Sequence, residues 1–158
     1  MMSSRKARVV EVAVHHPRYR ISTASVQKSI ACLEGLSTFR CPLGNLSIVF
    51  VDDREIKRLH REFMDDASVT DVITFVGEEH PLEPFAGEIC INLDQAKRAA
   101  REHQLTLERE VTLYLVHGWL HLSGLRDDTV AQSKKMRQAE AEALAHLDCH
   151  RQKVKVLD

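Results

Sequence analysis

Residues 107–124 read LEREVTLYLVHGWLHLSG, and this stretch decides the fold. Leu107, Val111, Leu113, Leu115, Val116, Trp119, Leu120 and Leu122 surround it with apolar side chains. A helix that is apolar almost all round is buried rather than laid on a surface, so it is expected at the centre of a domain. Thr106 can cap its first turn, and Gly124 is suited to end it in a left-handed conformation.

Working outward, residues 8–15 (RVVEVAVH) place Val10, Val12 and Val14 at period two and predict a strand. Residues 23–34 carry Val26, Ile30 and Leu33 at helical spacing after a Ser-Thr start. NLSIVFV at 45–51 reads as a second strand, and Asp52 with Glu55 as the capped start of a helix bearing Ile56, Leu59, His60 and Phe63. DVITFV (71–76) and EICIN (88–92) predict short strands around a loop at 77–86. Asn92 and Gln95 head a helix over 93–103, and Thr129 with Gln132 heads the last one, to about Leu147. The expected fold is α+β: a small mixed sheet of about four strands packed with about five helices around the buried central one. Residues 1–150 are expected to form a single domain, and 151–158 (RQKVKVLD) a short polar tail that frays.

The chain has 158 residues, with 22 basic and 23 acidic side chains. Attraction of the whole molecule to nucleic acid is therefore weak, and phosphate binding must come from local patches. The candidates are Arg5-Lys6-Arg8, His15-His16-Pro17-Arg18, Lys97-Arg98 and Lys134-Lys135-Arg137. Aromatic residues are only 5%, too few for the usual base-stacking platform, so bound RNA would be gripped by shape and backbone. No segment is apolar enough to span a membrane, and no secretory signal follows Met1, so a cytoplasmic protein is expected. Cys32, Cys41, Cys90 and Cys149 are scattered and form no C-x-x-C pair, which argues against a thiolate zinc knuckle or a disulfide framework.

Two of the nine histidines carry chemistry. His117 and His121 stand four apart on the central helix, so their rings share one face and can converge on one ion. A zinc ion needs a third ligand, and the turn after Gly124 offers Asp127, ten residues past His117 and six past His121. Two buried imidazoles without partners would be costly, and a metal relieves that cost. Two imidazoles and a carboxylate suit zinc, and also nickel, iron or manganese. The metalloprotease pattern H-E-x-x-H is broken by Gly118, which removes its usual general base.

The segment HGWLHLSG at 117–124 closely resembles the signature of the YbeY family, H-G-x-L-H-L-x-G-Y-D-H. Thr70-Asp71-Val72-Ile73-Thr74-Phe75 is similar to the family's T-D/N-V-L-S-F, and Gly87-Glu88-Ile89-Cys90-Ile91 to its G-D-I-x-I. Met136 and Glu140 match a Met/Glu pair on the last helix. In ungapped register the family's third histidine falls on Asp127; one inserted residue would put it on Asp128 instead. Met64 stands where the family has an arginine, and Arg61 lies one turn earlier.

The resemblance implies a metal-dependent single-strand endoribonuclease of ribosomal RNA maturation and ribosome biogenesis. Its partners would be ribosomal RNA and the small ribosomal subunit. One zinc ion would be held by His117, His121 and Asp127, with Asp128 as substitute. Glu88, Asp71 and Arg61 are the candidate catalytic residues, the carboxylates orienting water or a histidine proton. Two other readings stay open: a metal-dependent hydrolase of another substrate, and a weakly catalytic ribosome-assembly factor with a structural ion.

Overall fold

The computed structural model describes residues 8–66, 68–77 and 84–157. Its elements are β1 (Val10–Val14), β2 (Arg20–Ile21), α1 (Thr23–Leu33), β3 (Asn45–Val51), α2 (Asp53–Met64) and β4 (Val72–Val76). These are followed by β5 (Phe85–Asn92), α3 (Leu93–His103), α4 (Leu107–Leu122), α5 (Val130–Cys149) and β6 (Val156–Leu157). The main sheet has the order β1-β3-β5-β4, parallel except for the antiparallel edge strand β4, so it is mixed as expected. Most of the loop expected at 77–86 lies outside the described residues, as do Arg5 and Lys6.

Side-chain alternation divides the sheet into two faces. Leu46, Ile48, Phe50, Ile89 and Ile91 join α1, α4 and α5 in the large core. Val51, Ile73 and Cys90 point the other way and meet Ile56 of α2. At the centre, Trp119 of α4 is fully buried, edge-on to Phe39 at 6.3 Å between centroids. The helix starts follow the caps read from sequence: Ser22, Asp52, Asn92, Thr106 and Thr129 each accept from a first-turn amide. Thr129 and Gln132 complete a capping box, so the first turn of α5 starts at a fixed place just after the Asp127 turn.

Gly118 sets the distance between α4 and the sheet. A Cβ there would lie 2.4 Å from Cγ2 of Ile89, a β-branched side chain with little room to turn. This explains the glycine after His117: a glutamate at that place would be driven into β5. We expect Gly118→Ala to destabilise the chain by about 1–2 kcal/mol, because overpacking of a core outweighs the roughly 1 kcal/mol of helix propensity that alanine adds. A denaturant midpoint equal to that of the parent chain would mean that α4 can move off the sheet freely.

The tail does not fray. Val154 is fully buried, and its amide donates to Oγ1 of Thr112 on α4 at 3.0 Å. The amides of Lys155 and Val156 donate to Oγ of Ser25 and Oε2 of Glu108, both at 2.8 Å, and β6 pairs antiparallel with β2. Val154 and Val156 alternate with Lys153 and Lys155, a strand pattern too short to outweigh the segment's polarity until a partner strand is known.

Candidate metal centre

The face of α4 bearing His117 and His121 is half-open, and Gly124 (φ 102°) ends the helix so that the chain doubles back over that face. Asp127 arrives on this turn. Its Oδ2 lies 3.5 Å from Nε2 of His117 and 3.5 Å from Nε2 of His121, and the two Nε2 atoms are 3.0 Å apart. Donors held about 2.1 Å from one ion at the tetrahedral angle would sit about 3.4 Å from each other. The three separations fit that triangle.

The outer nitrogens decide the protonation. Nδ1 of His121 is 3.0 Å from the Leu125 carbonyl, which can only accept, so this nitrogen carries the proton. Nδ1 of His117 faces Oε2 of Glu140 at 3.3 Å, and an ionised carboxylate likewise accepts. With both rings neutral, the two Nε2 atoms are thereby left with lone pairs aimed at each other and at a carboxylate oxygen, a clash that a proton on His117 or a bound cation relieves. Three electron-rich atoms in van der Waals contact are stable only around a positive charge. The donor set therefore fits a divalent cation, and three protein ligands leave a fourth position open, as in catalytic sites.

Burial pushes the His117 imidazolium down, but the bond to Glu140 and the charges of Glu140, Asp71 and Asp127 outweigh it and raise His117 above the ordinary histidine value. A cation must displace that proton. The affinity for zinc is therefore expected to fall with falling pH, by about tenfold per unit below the titration of His117, starting above the ~6.5 of a free histidine. Competition titrations between pH 8 and 5.5 check this; an affinity flat across that range would remove His117 from the site.

The other sequence candidates separate. Asp128 is not brought to the centre: its Oδ2 accepts from Nε and Nη2 of Arg126 at 2.8 and 2.7 Å. Asp71 lies close enough for its charge to act on His117. Glu88 shares the alternation of Cys90, not of Ile89, so it stands on the sheet face away from α4 and accepts from Oγ of Ser47 at 3.2 Å. A role for Glu88 at the metal is not supported by that placement. Arg61 is exposed in the last turn of α2, whose Ile56 packs on that same far face. It makes no ion pair among the described residues, while Arg58 is held by Glu55 and Glu62. Met64 is 49% exposed at the helix end. Glu140, noted in the sequence only for its spacing from Met136, turns out to face Nδ1 of His117.

The basic patches also sort themselves. Arg8 is paired with Glu34, His16 with Asp94 and Arg98 with Asp53, each by a short contact. Lys134 and Arg137 have no anionic partner among the described residues. They line a groove of about 560 Å³ together with Asp127, Asp128, Thr129 and Ser133, so two cationic side chains share the groove with two carboxylates beside the centre.

Fold and site define the class: an α+β chain with an open, three-ligand candidate metal centre beside a polar groove that carries Lys134 and Arg137. The chain belongs to the endoribonuclease YbeY family, which matches residues 11–148. It is 38% identical over 128 residues to the endoribonuclease YbeY of Porphyromonas gingivalis, covering 81% of this chain and 82% of that one. With the endoribonuclease YbeY of an Anaeromyxobacter species it shares 34% over 134 residues, 84% and 69% of the two chains. The solution structure of a Thermotoga maritima protein has the same fold, with a TM-score of 0.57 at 21% identity over 90% of this chain and 93% of that one. Among the described residues no helix is long and apolar enough to cross a membrane.

Proposed function

We propose that the chain cleaves single-stranded ribosomal RNA at the His117–His121–Asp127 centre, with zinc as the ion, during maturation of the small ribosomal subunit in the cytoplasm. The observation that carries this reading is the meeting of two histidine lone pairs and a carboxylate oxygen within 3.5 Å of one another. A divalent cation bound there supplies Lewis-acid chemistry, polarising a phosphoryl oxygen and making water nucleophilic near neutral pH.

The remaining work falls to side chains. His117 and His121 hold the inner nitrogens unprotonated because Glu140 and the Leu125 carbonyl hold the outer protons. Lys134 and Arg137 offer phosphate contacts along the groove, fixing the strand without reading its bases. Asp71, whose charge acts on His117, would accept a proton near the centre, directly or through water. Asp127, where the family pattern has histidine, lowers the net charge of the site and so tempers its Lewis acidity.

Incubating the purified chain with structured ribosomal RNA tests the reading. Cleavage that stops with a chelator and in Asp127→Ala is expected. In Lys134→Ala/Arg137→Ala, RNA binding should weaken and its salt dependence become shallower by about one to two in log–log slope. RNA binding without cleavage would favour the assembly-factor reading instead.

A further inference from the structure

Away from this centre, α1 and α5 bring together residues that the sequence keeps far apart. Cys32 lies near the C-terminal end of α1, while His146, Cys149 and His150 occupy the last turn and cap of α5. One ligand atom each from Cys32, His146 and His150 lies within 4.8 Å of the other two. The rings of His146 and His150 are 4.4 Å apart, tilted by 48°. Cys149, exposed on the same turn, is near enough that burial and its charge together raise the Cys32 thiol.

The tautomers are set by backbone carbonyls, as in a metal site. Nε2 of His146 is 2.9 Å from the Cys32 carbonyl, 114 residues away in sequence, and Nδ1 of His150 is 2.9 Å from the His146 carbonyl. Carbonyls only accept, so both of these nitrogens carry protons. Nδ1 of His146 and Nε2 of His150 keep their lone pairs. Such outer-nitrogen bonds are what orients histidine ligands elsewhere.

We propose that Cys32 Sγ, Nδ1 of His146 and Nε2 of His150 form a second metal site, selective for a thiolate-loving cation such as zinc. Sulfur and imidazole donors favour zinc, or cobalt in its place, over magnesium or calcium. A cation here clips the end of α1 to the end of α5, so its role is structural rather than catalytic. The site stands whether or not the His117 centre cleaves RNA.

Cobalt(II) titration of the fully reduced chain tests it, because the His117–His121–Asp127 centre contains no sulfur. A cobalt–thiolate charge-transfer band therefore reports the second site alone. We expect that band in the parent chain, with about two equivalents bound in total. It should vanish in Cys32→Ser with loss of one equivalent, need at least about tenfold more cobalt in His150→Ala, and persist in His121→Ala. His150 is exposed, so its variant remains informative if Cys32→Ser fails to fold. No band in the parent chain, or one unchanged in both Cys32→Ser and His150→Ala, would overturn the proposal and leave these histidines as helix caps.

Discussion

Replacing His121 with alanine is expected to abolish RNA cleavage, lowering the rate by at least about 10³-fold, because several kcal/mol of charge stabilisation leave with the ion. His121 supplies one corner of a triangle whose sides are 3.0, 3.5 and 3.5 Å, and a two-ligand remnant of His117 and Asp127 cannot hold a catalytic cation tightly. The fold should survive, since the His121 ring is only partly buried and the α4 core is held by Trp119, Leu115 and Leu120. Cleavage rate, bound metal and circular dichroism measured on one preparation decide the matter. An intact fold with undiminished cleavage would move the chemistry elsewhere.

Glu140→Gln is the second large effect, and a more selective one. The amide oxygen can still accept from Nδ1 of His117, but the negative charge is gone. Loss of such an outer-sphere carboxylate weakens metal affinity by about 10–100-fold. The pH below which the affinity begins to fall should move down at the same time, because Glu140 is the chief group that raises His117. Zinc competition at several pH values reads both quantities. An unchanged affinity would reduce Glu140 to a packing residue.

How much of this was legible in the sequence depends on the range of the interaction. The α4 helix announces itself through its apolar circumference, and the histidine pair through spacing alone, because i and i+4 share a face wherever the helix sits. The caps at Asp52 and Thr129 are equally local. Asp127 could be reached only by counting across a turn, and the pairing of Asp128 with Arg126 is invisible to that count. Glu140 acts on His117 from 23 residues away, across the packing of two helices, so its spacing from Met136 carried no sign of that role. Glu88 is different: the alternation that buries Ile89 and Ile91 already turned it from α4, and its likeness to the family's acidic position drew attention past that signal. Cysteine spacing carried no sign that Cys32 lies beside the last turn of α5, because the two meet only when α1 packs on α5.

Anomalous diffraction from crystals of the zinc-loaded chain shows whether the His117–His121–Asp127 triangle holds the ion. The expected map places zinc about 2.0–2.2 Å from Nε2 of His117, Nε2 of His121 and a carboxylate oxygen of Asp127, with one position open to solvent. Zinc absent from that triangle under saturating metal, with the Asp127 carboxylate turned to bulk water, would contradict the account.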